Sequence, residues 1–229
     1  MERLKNFGVF ILIFLLYLML NMYTSSFFIR DIYSENQVLV NLALIASNFI
    51  TLIIFVFIYR KTIVKDLYKF NKKDFKTGFN YWITGIVLMV LLNVILSIIG
   101  GTIVDNETTN REIIKNFLPY AIFGMCIYAP VVEELVFRRA LRPAFNNKYL
   151  YGLTSGLIFG SIHLFDEIAK LLSTGVFTIN LLYVLPYVGL GMFFAFSYYE
   201  TDNIYSTISF HAIHNVIAII FNILMNGGF

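Results

Sequence analysis

Long apolar stretches separated by short polar ones make up almost the whole chain. Seven of them approach or exceed the roughly 20 apolar residues that a helix needs to cross a bilayer. The first stretch is too long for the apolar core of a signal peptide and has no small-residue cleavage pattern, so we predict that it is a helix of the protein itself. The pattern predicts an all-α fold, a polytopic transmembrane helix bundle of about seven spans, at 7–28, 38–59, 80–103, 118–140, 149–165, 177–199 and 204–225.

Composition supports this prediction and narrows the class of protein. Of the 229 residues, 59% are hydrophobic and 14% are charged, whereas a soluble domain is about 45–50% apolar and about 25% charged. No polar segment is long enough to build a soluble core of its own, so we predict one integral-membrane domain over 1–229. The single Cys126 excludes an internal disulfide. We expect the lipid bilayer as a partner and no nucleic acid, and the oligomeric state stays open.

The basic residues indicate how the bundle is oriented. With the N-terminus in the cytoplasm, 13 of the 17 Lys and Arg residues fall in the inner segments, and the outer loops hold only Arg30, Arg111, Lys115 and Lys170. This asymmetry is what the positive-inside rule describes. We therefore predict a multi-pass protein of a cell membrane with a cytoplasmic N-terminus. The basic run from Arg60 to Lys76 is interpreted as a topology signal, although it would also suit anionic lipid headgroups.

Few strongly polar side chains remain within the spans of the second half of the chain. A charged group at the centre of a bilayer costs roughly 2.5–3.5 kcal/mol on insertion scales, and such groups are by default functional. All three histidines of the chain are among these residues, which are Glu133, Glu134, Arg138, His163, His211, His214 and Asn215. We read Asp166 and Glu167, which follow closely, as solvated residues of an outer loop.

Helical spacing predicts which of these side chains meet. Glu134 and Arg138 are four residues apart and can pair on one face, while Glu133 lies about 100° away around the helix. Glu133 and His163 lie 14 and 16 residues from a turn at Asn147, which places both about 21–24 Å from it on antiparallel helices. The sequence thus predicts that Glu133 meets His163.

The last span carries two more candidates, His211 and Asn215, which share a helix face because they are four residues apart. Tilt of the helices would bring this pair level with Glu133. A carboxylate and a histidine facing one point can hold and deprotonate a water molecule. Donors opposite that water suit the oxyanion of a tetrahedral intermediate, so the set indicates hydrolysis of an amide bond.

Two other interpretations use the same residues. The donors would suit zinc or another divalent ion, although the HExxH pattern is absent, and no cofactor is firmly predicted. Carboxylate–histidine chains also carry protons in transporters. The lack of an inverted repeat argues against a transporter.

Three motifs resemble those of the CAAX-protease and bacteriocin-processing (CPBP, or Abi) family of intramembrane proteases, which is related to the type II prenyl-protein endopeptidase. EExxxR matches EELVFR from Glu133 to Arg138, FxxxH matches Phe159 and His163, and HxxxN matches His211 and Asn215. The resemblance covers about 118–216, which we take as the catalytic core. It implies that Glu133 and His163 activate the water, that His211 and Asn215 stabilise the oxyanion, and that Glu134 and Arg138 have supporting roles.

From the residues and the resemblance together we expect an intramembrane endopeptidase with its site in the cytoplasmic half of the membrane. Its substrate would be a peptide or a membrane protein, and its location a bacterial plasma membrane. The first alternative is a non-catalytic immunity or scaffold protein that retains the site. The second is a proton-coupled transporter.

Overall fold

The computed structural model describes residues 2–30, 37–102 and 104–225, and the side chains of all of these except 23–30 and 37. Nine helices account for most of this part of the chain, and no strand occurs within it. They are α1 (Glu2–Arg30), α2 (Gln37–Lys69), α3 (Lys72–Ile98), α4 (Asp105–Asn116), α5 (Leu118–Ala144), α6 (Lys148–His163), α7 (Phe165–Thr174), α8 (Val184–Thr201, led by a 3₁₀ turn over Ile179–Tyr183) and α9 (Tyr205–Met225).

The prediction of an all-α, polytopic helix bundle is confirmed. Six helices in the described residues are long and apolar enough to cross a membrane: α1, α2, α3, α5, α8 with its 3₁₀ turn, and α9. The remaining predicted span, 149–165, corresponds to α6, which has 16 residues. At 1.5 Å per residue α6 is about 24 Å long, less than the roughly 30 Å of a hydrocarbon core. The count of seven spans and the orientation of the bundle stay predictions.

Local sequence signals explain several helix ends. Asn71 caps α3 by accepting hydrogen bonds from the backbone of Lys73 and Asp74, and the Asp74 carboxylate accepts a hydrogen bond from the backbone N–H of Asn71. This reciprocal arrangement is a capping box. Asn147, part of the predicted turn, caps α6 by accepting a hydrogen bond from the backbone of Leu150. Gly100 follows α3 with a φ of 96°, a conformation that favours glycine.

Helices α4 and α7 were not predicted, and one residue between the spans was misjudged. Glu167 is not solvated: it is buried on α7, and its carboxylate accepts a hydrogen bond of 2.9 Å from the backbone of Asp105, the first residue of α4. A carboxylate at a helix N-terminus satisfies an otherwise unpaired N–H group and suits the helix dipole. Lys170 pairs with the Asp105 side chain, and this hydrogen bond raises the pKa of Lys170. Together these contacts join α7 to the start of α4.

Helix α6 packs closely on α8 through three glycines spaced four residues apart. A Cβ on Gly156 would lie 2.5 Å from the carbonyl oxygen of Val188, and one on Gly152 would lie 2.2 Å from the ring of Phe196. Small residues at this spacing let helix backbones approach each other inside a membrane. The contact places the end of α6, and with it His163, beside the start of α8.

Candidate active site

Helix α5 carries the glutamate pair between two π-helical segments, Gly124–Tyr128 and Leu135–Ala140. Such segments interrupt an α-helix and often occur at functional sites. Pro130 follows the first segment and has no N–H group to donate to the preceding turn. The N–H of Ala129 bonds to the carbonyl of Gly124, so the carbonyl of Met125 is available to another donor.

Side chains from neighbouring helices bond to the carbonyls of both π-helical segments. The amide nitrogen of Asn215 on α9 donates to the carbonyl of Met125 at 2.6 Å. From α6, the hydroxyl of Ser155 donates to the carbonyl of Phe137 at 2.9 Å and that of Tyr151 to the carbonyl of Arg138 at 3.1 Å. A buried carbonyl needs such a partner, so the irregular backbone of α5 fixes where α6 and α9 dock.

Glu134 and Arg138 form an ion pair that is completely buried behind the site. The distance from Arg138 Nε to Glu134 Oε2 is 3.0 Å, so the predicted pairing is present. It is a close contact of charges rather than a bidentate fork, because no guanidinium nitrogen has an aligned hydrogen bond in the described part of the chain. The guanidinium lies over the rings of Phe159 (4.8 Å) and Phe194 (5.7 Å), which give it cation–π contacts.

His211 connects the two glutamates. Its Nδ1 lies 2.9 Å from Glu134 Oε1, and its Nε2 lies 3.9 Å from Glu133 Oε2. Because a carboxylate only accepts, Nδ1 carries a hydrogen, and Nε2 of the neutral ring is then an acceptor. Only the imidazolium form donates from both nitrogens. His211 therefore acts as a donor toward the cavity only when it is protonated.

Three contacts, two with Phe159 and one with Tyr187, hold His163 at the end of α6. Its Nδ1 donates to the carbonyl of Phe159 at 2.9 Å, which leaves Nε2 of the neutral ring as an acceptor. The ring lies 4.4 Å from that of Phe159 and is stacked at 4.7 Å on Tyr187 of α8. Tyr187 accepts a hydrogen bond of 3.1 Å from Asn106 of α4. Through Tyr187, His163 is linked to a helix that the sequence did not predict.

Four of the predicted site residues line one cavity of about 260 Å³, namely Glu133, His163, His211 and Asn215. Glu134 and Arg138 lie behind its wall. Glu133 and His163, which were predicted to meet, line the same cavity. Among the described residues, however, no hydrogen bond or ion pair joins them. Glu133 instead approaches His211. The catalytic roles inferred from the sequence stay predictions.

The cavity also has walls beyond the predicted site residues. His214, Tyr187 and Asn222 line it, as do Asn106, Glu107 and Asn110 of α4. A signal for α4 was present, because Asp105 and Glu107 in its first turn and Lys115 in its last are typical of helix ends. Nothing in the spacing of α4 and α9, however, indicates that they share a wall.

The donor set was tested for its fit to a metal ion. Within the described ranges, no three His, Cys, Asp or Glu side chains are grouped so that they could hold one ion. Nδ1 of His163 and Nδ1 of His211 are engaged with protein acceptors, which leaves only Nε2 of each ring available to an ion. The described residues thus hold no preformed group of three such ligands, and a divalent ion at this site stays an untested alternative.

Comparison with known proteins gives one family and several relatives. Residues 115–217 match the family model of type II CAAX prenyl endopeptidase Rce1-like proteins. The membrane-embedded CAAX protease MroQ of Staphylococcus aureus (strain USA300) is 29% identical over 139 residues, 59% of this chain and 53% of its own. YdiL of Bacillus subtilis (strain 168), which carries the name of a membrane peptidase, is 25% identical over 182 residues, 76% of this chain and 68% of its own.

A third relative matches over a shorter stretch. The UPF0177 protein YbdI of Lactococcus lactis subsp. lactis (strain IL1403) is 41% identical over 64 residues, 27% of this chain and 35% of its own. The alignment with MroQ spans about half the length of that protein. No solved structure gives a significant match. Residues 115–217, which match the family model, contain all six predicted site residues.

Proposed function

We propose that the chain, whose residues 115–217 match the Rce1-like family model, is an intramembrane endopeptidase in which Glu133 activates a water molecule. One observation carries the proposal. Glu133, His163, His211 and Asn215, which come from three helices, line one cavity inside a bundle of membrane-crossing helices, with the charge pair Glu134–Arg138 buried behind it.

The attack step uses the acceptors that face this cavity. A water molecule that donates one hydrogen to Glu133 and the other to Nε2 of His163 would direct its lone pair at the carbonyl carbon of a peptide bond. As the oxygen–carbon bond forms, the water proton passes to Glu133 and the carbonyl oxygen gains negative charge. Glu133 then delivers that proton to the leaving nitrogen when the carbon–nitrogen bond breaks.

The negative charge on the carbonyl oxygen requires donors on the opposite side. His211 supplies Nε2–H in its protonated form, and Asn215 supplies the N–H that is not engaged with Met125. Glu134 holds His211 in this orientation through Nδ1, and Arg138 balances the charge of Glu134. The proposed substrate is a peptide bond in a peptide or membrane protein that is associated with the bilayer, and prenylation is not required by these contacts.

Cleavage by variants tests the proposal. The purified protein in lipid vesicles is incubated with a library of membrane-associated peptides, and products are identified by mass spectrometry. We expect Glu133→Gln and His163→Ala to lower the rate by about 10²-fold or more, as removal of a general base does. Glu112→Gln, which changes an exposed glutamate on α4, serves as the matched control. Unchanged cleavage in both site variants would sink the catalytic interpretation and favour the non-catalytic scaffold.

A chelator titration separates the two ways of activating water. With a glutamate as base, cleavage is insensitive to metal chelators and to added zinc. Loss of cleavage in chelator that is restored by zinc would overturn the metal-free mechanism.

A further inference from the structure

Helix α7 has an apolar face that is partly open and a polar face beside it. Phe165 and Leu172 are seven residues apart and therefore share a face, where they are 69% and 81% exposed. Asp166 and Ser173 are also seven residues apart and exposed, and they lie about 100° around the helix from the first pair. Helix α7 is therefore amphipathic, and nothing in the described part of the chain covers Phe165 and Leu172.

Contacts place α7 at one edge of the bundle. Helix α4 lies in the connection from α3 to α5, and α7 lies in the connection from α6 to α8; α3, α5 and α8 are all apolar enough to cross a membrane. The two connections are joined, because Glu167 accepts a hydrogen bond from the backbone of Asp105 and Lys170 pairs with the Asp105 side chain. The backbone of Thr102 also donates to the side chain of Asn180 at 3.0 Å. Helix α7 therefore lies where these helices leave the bilayer, on whichever side of the membrane that is.

Length and polarity limit how α7 can lie at this edge. Its ten residues span about 15 Å, half the thickness of a hydrocarbon core. Pointing into water, it would leave Phe165 and Leu172 in water together with Val176 and Phe177, two exposed residues that follow the helix. Pointing into the bilayer, it would carry the charge of Asp166 into hydrocarbon. An amphipathic helix avoids both costs by lying in the plane of the interface, with its apolar face about 5–10 Å into the boundary of headgroups and acyl chains.

The charges of α7 indicate which property of a bilayer it would bind. Lys170 is the single basic residue of the helix, and it pairs with Asp105. Glu167 is bonded to the backbone of Asp105, and Asp166 adds a negative charge at the surface. Helix α7 therefore offers an anionic headgroup no cation of its own that is not already paired. Burial of apolar side chains, rather than attraction to anionic lipid, is what would hold this helix on a membrane.

We propose that α7 is an interfacial anchor. Phe165 and Leu172 insert into the boundary between the headgroups and acyl chains of the bilayer, and α7 in this position holds the start of α4 against the bundle. The lipid bilayer, rather than a second protein, covers the open apolar face. Because Asn106 of α4 donates to Tyr187, and Tyr187 stacks on His163, the anchor also supports one wall of the site cavity. This role is separate from the proposed function and requires no cleavage.

Spin labels on the two faces of α7 test where the helix lies. In a Cys126→Ser background, a nitroxide is attached to Phe165→Cys, Leu172→Cys, Asp166→Cys or Ser173→Cys, and each protein is placed in phosphatidylcholine vesicles. We expect the labels at 165 and 172 to collide more with oxygen, which concentrates in hydrocarbon, than with a water-soluble nickel chelate. The labels at 166 and 173, the matched controls, should show the reverse.

Every other pattern of collisions overturns the anchor. Higher accessibility of all four labels to the nickel chelate would place α7 in water, and higher accessibility of all four to oxygen would place it within the hydrocarbon. Protection of the labels at 165 and 172 from both reagents would show that protein covers this face. The expected pattern should also persist when anionic lipid is added, whereas a pattern seen only with anionic lipid would contradict binding through apolar burial.

Hydrogen exchange tests whether the anchor holds α4. In vesicles, Phe165→Ser/Leu172→Ser is compared with wild type and with Ser173→Ala on the polar face. We expect the backbone amides of 105–109 to exchange about tenfold faster in the double variant, because this part of α4 opens more often once α7 is released. Amides around Ile114, which is buried in the bundle, should not change. Equal exchange of 105–109 in wild type and the double variant overturns the proposed support of α4. Neither measurement depends on cleavage, so failure of the proposed function leaves both results interpretable.

Discussion

Helices α5 and α1 are both apolar enough to cross a membrane, yet they are buried to very different extents. In the most apolar stretch of α5, 56% of the residues are buried within the bundle, against 11% in α1. Helix α8 resembles α5, at 50%, and α2 and α3 resemble α1, at 22% and 17%. Lipid tails are as apolar as leucine, so α1 can face lipid at little cost. Helix α5 carries charge and an irregular backbone, which only protein neighbours can accommodate.

The largest effect is expected from breaking the buried ion pair of α5. Arg138→Met leaves the carboxylate of Glu134 buried without the guanidinium that balances its charge, which should lower the free energy of unfolding by about 3–5 kcal/mol. Reversible unfolding in mixed micelles would measure it. The double variant Glu134→Gln/Arg138→Met removes both charges and should recover part of the loss. A double variant less stable than the single one would contradict this account of the pair.

A matched leucine pair tests the contrast between α5 and α1 directly. Leu135 is fully buried, whereas Leu12 is 68% exposed on the bundle surface. We expect Leu135→Ala to cost about 2–5 kcal/mol through its cavity. Leu12→Ala should change stability by less than about 0.5 kcal/mol, as surface substitutions usually do. Equal losses in the same micelle unfolding assay would show that α1 is packed against protein.

Glycine substitutions test the close contact of α6 with α8. Gly156→Ala places a methyl group 2.5 Å from the carbonyl oxygen of Val188, so the helices must separate. Overpacking of this kind costs about 1–3 kcal/mol. Gly8→Ala on α1 is the control, because a Cβ there has no described atom within 4 Å. Thermal midpoints in detergent would show a drop for the first variant and little change for the second.

Pro130 tests whether the irregular backbone of α5 serves the site. Pro130→Ala gives this turn an N–H donor that competes with Asn215 for the π-helical carbonyls. We expect unchanged stability and a fall in kcat of about tenfold, since small displacements of site residues are costly to rate. The measurement is cleavage by a variant whose thermal midpoint matches wild type. Full activity would show that the π-helical segment has no part in placing Asn215.

The smallest effect is expected at Tyr187, where two variants separate its stacking on His163 from its hydrogen bond with Asn106. Tyr187→Phe keeps the ring stacked on His163 and loses only the bond to Asn106, so kcat should fall less than about threefold. Tyr187→Leu removes the stack and should lower kcat several-fold, with KM nearly unchanged because orientation of a catalytic group affects the chemical step. A change in KM alone would assign Tyr187 to substrate binding.

Much of this protein could be predicted from its sequence because lipid imposes simple rules. Apolar length predicted the helix bundle, and the i, i+4 spacing predicted the pair of Glu134 with Arg138. The three motifs indicated the family that comparison supports. Contacts between distant segments were harder to predict. Glu167 was misjudged because its partner, the backbone of Asp105, lies 62 residues away on a helix with no apolar pattern.

The sequence alone determined which long apolar segments are helices, where most basic charge lies and which polar side chains are carried into the membrane. These properties depend on local composition and helical period. The bilayer strengthens this dependence, because a segment in lipid must satisfy its own backbone polar groups. Only the tertiary structure decided that His211, rather than His163, approaches Glu133, and that the cavity extends toward α4. Rotation, tilt and π-helical segments set those relations, and each depends on how neighbouring helices pack.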